Sequence, residues 1–155
     1  MKFVSCLILL GLINVHQSLD NTAYSYDYYE GIEKSAESNK PIFLLFTGRT
    51  CESNLLFNEL ISEDDELIQL LGQEYVQVVL YVDDSTPLDQ EKVVIRDGRK
   101  IVLRTRGNQW ANIEISKYKH NVQPFMLVID ANENILKEPI IGKITKDELL
   151  QYLSK

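Results

Sequence analysis

Cys51 is the side chain in this sequence best placed to do chemistry. It follows the loop Thr47-Gly48-Arg49-Thr50, which closes the apolar run Ile42-Phe43-Leu44-Leu45-Phe46. After it come Glu52-Ser53-Asn54 and the helically spaced Leu55, Leu56, Phe57, Leu60 and Ile61. The order is strand, loop, helix, with the thiol at the helix start. Unpaired amides and the positive end of the helix dipole stabilise a thiolate there, lowering a thiol pKa from about 8.5 into the range of roughly 3.5–7.5. Arg49 adds to that effect and Glu52 opposes it, so a moderate depression is expected. The polar flanks Arg49, Thr50, Glu52, Ser53 and Asn54 suit an exposed, reactive sulfur; the alternative is a small buried hydrophobe, which many free cysteines are. The second position is Pro124, in Asn121-Val122-Gln123-Pro124-Phe125, where a later strand begins and a missing N–H is tolerated. A cis bond there would turn the Gln123 backbone toward an extended peptide, although base rates for such bonds favour trans.

Other chemistries lack their parts. The chain has 155 residues, 45% apolar and 25% charged, enough for one core and one globular domain. A net charge of −7 repels polyanions, so no nucleic-acid partner is expected. Two cysteines and two histidines are too few for a Cys/His zinc site, and neither a metal nor a cofactor is expected. Asp83-Asp84 suggests a cation, but no further carboxylates follow at calcium-loop spacing and a turn fits better. No serine sits in a nucleophile elbow, and a Cys51–His120 dyad is disfavoured because His120 is expected on the polar end of its helix.

The N-terminus reads as an export signal: Lys2, an apolar stretch from Phe3 to Val15, and Ser18 as a small residue at the cleavage position. The stretch falls short of the ~18 residues a spanning helix needs. Residues 1–18 are therefore expected to be removed and 19–155 to form a single domain, periplasmic or secreted. A membrane role is expected only if the segment is retained. Cys6 falls in the discarded part, leaving Cys51 alone in an oxidising compartment, where an odd thiol needs an intermolecular partner or a special environment.

The elements that must position these residues follow from periodicity. Four tyrosines between Asn21 and Tyr29 are expected to cover the edge of the core, and a short helix is expected over 27–39. Ile42–Phe46 is a strand buried on both faces. Ser62-Glu63-Asp64-Asp65 caps a second helical stretch, Glu66–Gly72, and valine-rich 76–82 is a strand ended by turn residues 83–87. A hairpin pairing 93–95 with 101–103 through Asp97-Gly98 makes 84–106 an insertion. Then come a helix over 107–119 carrying Trp110, Ile113, Ile115 and Tyr118, a strand at 125–129, and a fourth strand near 135–137. A final helix over 145–153 opens with the capping box Thr145/Glu148 and faces Leu149, Leu150 and Leu153 inward. This is an α/β chain with a mixed sheet flanked by helices.

Lys40-Pro41-Ile42-Phe43 with Phe46-Thr47-Gly48-Arg49-Thr50-Cys51, Leu80-Tyr81-Val82-Asp83-Asp84, Gly107-Asn108-Gln109-Trp110 and Asn121–Phe125 together resemble thioredoxin-like proteins. The likeness is to the C-terminal periplasmic domain of DsbD-type thiol:disulfide interchange proteins, particularly the Bacteroidetes versions, and it spans roughly residues 30–155. The resemblance implies a thioredoxin fold, a groove for a partner's extended segment, and a cis bond before Pro124. It also exposes departures. The family's Cys-x-x-Cys reads Cys51-Glu52-Ser53-Asn54, so the resolving thiol is replaced by Asn54. Leu45 stands where the family has a buried acid, and Thr50 where it has an aromatic. A dithiol mechanism needs the second thiol to resolve the mixed disulfide, so a complete dithiol oxidoreductase is not expected.

Two functions remain. One is monothiol exchange, with Cys51 as nucleophile and Arg49, Thr50, Gln123 and Pro124 receiving a cysteine-bearing protein partner. The other is a redox-inactive module that binds a partner through the same groove, with help from the 84–106 insertion. A dimer linked through Cys51 is a lesser third.

Overall fold

Six consecutive residues, Ile42–Thr47, form β1, and all six are buried. Such a run needs neighbours on both edges and both faces. In the computed structural model, which describes residues 25–50 and 52–154, β1 is the centre of a four-stranded sheet. Its parallel neighbour is β2 (Val76–Tyr81), in register Ile42↔Val76 to Thr47↔Tyr81. Its antiparallel neighbour is the equally buried β5 (Phe125–Ile129), in register Ile42↔Ile129 to Phe46↔Phe125. The short β6 (Ile140–Ile141) adds antiparallel to β5, giving the order β2-β1-β5-β6. Beyond β2 the chain adds a single parallel bridge, Tyr26↔Val78.

Side-chain alternation divides the core between two faces. Ile42, Leu44 and Phe46 join Tyr28 of α1 (Tyr28–Ser38) and Trp110 and Tyr118 at α4 (Arg106–Lys117). Phe43 and Leu45 point the other way, onto Leu67 and Leu71 of α3 (Asp65–Glu74) and Leu149 and Leu153 of α5 (Lys146–Ser154). Leu60 and Ile61 of α2 (Glu52–Glu63) pack against this second cluster. Caps set the helix ends. Asp27 closes a capping box with Glu30 and Asn39 ends α1 in the left-handed region. Asp64 accepts from the Leu67 N–H and pairs with Lys146 at 2.6 Å, and Thr145 and Glu148 cap α5 reciprocally.

The expected hairpin is present and longer than its apolar residues imply: β3 (Pro87–Arg96) and β4 (Arg99–Thr105), turning through Asp97 and Gly98, both at positive φ. It forms its own two-stranded sheet against α4. Gly107 seats α4 on the turn after β2, where an added Cβ would lie 2.6 Å from the Val82 carbonyl oxygen and the Asp84 nitrogen.

Two expectations need correcting. The strand expected at 135–137 is one bridge, Ile129↔Ile135, and the ladder resumes at Ile140. Pro139, without an N–H, interrupts the segment, and Lys137 turns aside to donate to the Tyr152 and Leu153 carbonyls at the end of α5. Leu55, expected on the apolar face of its helix, is 48% exposed, because it lies in the first turn of α2 whereas Leu60 and Ile61, nearer the far end, reach the core. The tyrosines divide: Tyr28 is buried, Tyr29 is half-exposed, and Tyr24 lies outside the described residues.

Candidate functional site

Register brings the two predicted loops together. β1 runs out at Thr47 while antiparallel β5 begins at Phe125, and Phe46 pairs with Phe125, so the 48–50 loop and the 121–124 loop occupy the same end of the sheet. Helix α2 starts at Glu52, immediately after Cys51. Cys51 itself, and the side chains of Glu52, Ser53, Asn54, Leu56, Phe57 and Asn58, lie outside what the structure describes, as do residues 1–24, which include the stretch read as an export signal, Cys6 and His16.

The approach to Cys51 is pinned from β2. The Arg49 N–H donates to Asp83 Oδ2 at 2.8 Å and the Thr50 hydroxyl to the same oxygen at 3.3 Å. The Arg49 guanidinium lies 4.3 Å from the centre of the Tyr81 ring and 4.0 Å from Asp84 Oδ2. Asp84 accepts from the Thr86 N–H at 2.9 Å, and these hydrogen bonds with Thr86 hold its carboxyl below the usual range. The aspartate pair thus serves as turn and loop anchor.

On the other loop, the Gln123–Pro124 bond is cis. Pro124 is buried, and its carbonyl accepts from the Gly142 N–H at 2.8 Å. The Gln123 N–H and C=O, by contrast, have no backbone partner among the described residues. The Gln123 side chain turns inward and donates from Nε2 to Glu114 Oε2 at 2.7 Å. Three large apolar side chains near this sheet end are about half-exposed: Leu55 in α2, Val122 beside Gln123, and Ile141, opposite Phe125. His120 lies with its ring 4.4 Å from that of Phe125, at the junction of α4 and the loop.

Glu114, neither a nucleophile nor beside the proline in sequence, is a further polar residue at this site. It is fully buried on α4, its Oε1 lacks a hydrogen-bond partner among the described residues, and burial pushes its carboxyl up to about 7 against the lowering effects of the Gln123 amide and the Val122 N–H. A signal was present, since Glu114 falls four residues after Trp110 and four before Tyr118 and so interrupts an apolar face. A second polar cluster ties α4 to the rest of the fold: the Tyr28 hydroxyl donates to Glu133 at 2.5 Å and lies 2.9 Å from that of Tyr118, and Lys117 pairs with Glu133. Burial first, and Glu133 next, drive the Tyr28 hydroxyl far upward. Among the described residues no His/Cys/Asp/Glu cluster is suited to a metal ion, and no helix is long and apolar enough to cross a membrane.

No protein-family model matches the chain, and neither does any curated protein. Solved structures do. The architecture superposes on the DsbH oxidoreductase with a TM-score of 0.56, 20% identity and 84% of each chain covered. A thioredoxin from Thermus thermophilus gives 0.58 at 14% identity, covering 83% of this chain and 82% of that one. The fold is that of thioredoxin. The C-terminal domain of Neisseria meningitidis DsbD agrees, at 0.51 and 12% identity, with 84% of this chain and 97% of that domain covered. On this thioredoxin fold, the 84–106 hairpin stands outside the central sheet, and the 48–50 and cis-proline loops share one sheet end.

Proposed function

We propose that the chain is an exported, monothiol member of the thiol:disulfide interchange type, with Cys51 as its nucleophile. The observation that carries the reading is that the loop before Cys51 shares one sheet end with the Gln123 peptide, which has no backbone partner among the described residues, and with exposed Leu55, Val122 and Ile141. An unpaired peptide at a sheet end takes an extended segment by main-chain hydrogen bonds, and apolar neighbours hold its side chains. The Cys51 thiolate attacks one sulfur of a partner's disulfide; a Cys51–partner bond forms, the partner's S–S bond breaks, and the electron pair leaves on the other partner sulfur as thiolate. Asn54 offers no second thiol, so an external thiol must release the product by the same exchange. Arg49, Thr50, Gln123 and Pro124 line the approach, and the partner is a cysteine-bearing protein met outside the cytoplasm, after cleavage near Ser18.

Alkylation rate against pH tests this. A Cys51 midpoint below that of a free cysteine, with covalent capture of a disulfide peptide that Cys51→Ser abolishes, is the expected result. A midpoint at or above the free value, or no capture, removes the reading. The competing reading, noncovalent binding in the same groove, draws support from Arg49, whose guanidinium is engaged by Tyr81 and Asp84. In that case Cys51→Ser binds a partner as well as the natural chain does.

A further inference from the structure

Gln123 stands at the centre of the proposed groove, yet its side chain is unavailable to a partner. Its amide nitrogen is spent on Glu114 Oε2 at 2.7 Å, inside the protein, while its main chain is left without a backbone partner. The two facts are linked by geometry: anchoring the side chain inward fixes which way the peptide unit beside Pro124 faces. The anchor is an uncommon choice. Glu114 has no exposed surface, and one of its oxygens meets no donor among the described residues, an arrangement that costs stability and that an apolar side chain would avoid. The Val122 N–H, next in the loop, also favours the ionised form of this carboxyl. Among the described residues nothing comparable holds the 48–50 loop, whose anchor Asp83 reaches it from the surface.

We infer that Glu114 is the positioning residue of the peptide groove: by holding the Gln123 side chain from within, it presents the Gln123 main chain to a partner's extended segment. The inference rests on the exchange reading above and names what orients that site. Glu114 does not touch the partner; it acts through the loop.

The experiment compares two disulfides that release the same chromophoric thiolate on attack by Cys51. One is the small symmetric aromatic disulfide 5,5′-dithiobis(2-nitrobenzoate). The other is a ten-residue peptide carrying thionitrobenzoate on a central cysteine. In each case the Cys51 thiolate forms a bond to one sulfur, the original S–S bond breaks, and thionitrobenzoate leaves with the electron pair. The reading is the ratio of peptide to small-disulfide rates, which removes differences in thiol reactivity. For the natural protein this ratio exceeds that of the same chain unfolded in urea. Glu114→Leu lowers it about tenfold, the ratio equivalent of one lost hydrogen bond to an ionised group. Glu114→Gln, which can still accept from Gln123, restores it to within about threefold, a rescue that a packing role alone does not produce. Gln123→Ala cuts the same link from the loop side and supplies the answer if Glu114→Leu fails to fold. A natural-like ratio in both Glu114→Leu and Gln123→Ala overturns the inference and leaves the exchange reading standing. No excess of the folded over the unfolded ratio in the natural protein removes both.

Discussion

Replacing Glu114 by glutamine should make the protein more stable, and by an amount that depends on pH. The carboxyl is fully buried and is pushed from its ordinary 4.5 up to about 7, chiefly by desolvation. A carboxyl with a raised folded-state pKa holds its proton more firmly in the folded chain than in the unfolded one. Its effect on stability is therefore neutral below about 4.5, becomes increasingly unfavourable as the pH climbs toward 7, and levels off above it. At ~1.4 kcal/mol per pH unit, the full cost is about 3 kcal/mol at pH 8. Glutamine keeps an oxygen for Gln123 and carries no charge to desolvate. Urea unfolding of both proteins between pH 4.5 and 8.5 reads the effect as a difference. The paired carboxyls Asp64, Asp84, Asp130, Glu133 and Glu148, all held low by their hydrogen bonds, stabilise the fold above their unfolded values and lose that contribution in acid. They are common to both proteins and cancel. The two stabilities should nearly coincide at pH 4.5 and separate by up to about 3 kcal/mol by pH 8, with the variant ahead. A gap that is constant with pH, or a variant that is weaker at pH 8, refutes the reasoning.

Other substitutions probe the parts that hold the site. Gly107→Ala places a methyl group against the Val82 and Asp84 backbone and should lower stability by about 2 kcal/mol or more, measured by thermal unfolding. Tyr28→Phe removes a hydroxyl shared by Tyr118 and Glu133 and should cost about 1–3 kcal/mol in urea unfolding; no change would mean the cluster contributes nothing net. Thr47→Val replaces a buried hydroxyl that has no partner among the described residues by an isosteric methyl and should stabilise by about 1 kcal/mol, which a higher urea midpoint at unchanged slope would report. Asp83→Ala frees the Arg49 N–H, so its amide exchange should accelerate while amides of β1 keep their protection; equal exchange in both proteins would show the loop is held by something else.

The long apolar or strongly periodic segments were legible in the sequence because burial imposes a pattern on residue type. Ile42–Phe46 and Phe125–Ile129 can be stable only inside a sheet, and Thr145 with Glu148 announces its own cap. The turn at Asp97-Gly98 is local chemistry of the same kind. Where local and tertiary preferences compete, the sequence misled. Ile135-Leu136-Lys137 has strand-like composition, but Lys137 is drawn to the end of α5 and Pro139 breaks the ladder, so pairing waits for Ile140. Leu55 fits the helical repeat, yet which turn of α2 lies over the core depends on the whole assembly.

The site divides the same way. That Cys51 follows the first core strand, and that Asn54 stands three residues after it, are properties of the chain order and need no coordinates. That Arg49 rests on Tyr81, that Asp83 holds the loop, and that Gln123 turns away from solvent toward Glu114 were decided only by the folded structure. Each of these contacts joins residues whose partners are chosen by sheet register and helix packing rather than by spacing along the chain. A buried carboxylate in particular looks, in one dimension, like any other charged residue on a helix; its environment, and hence its chemistry, exists only once the chain has closed around it.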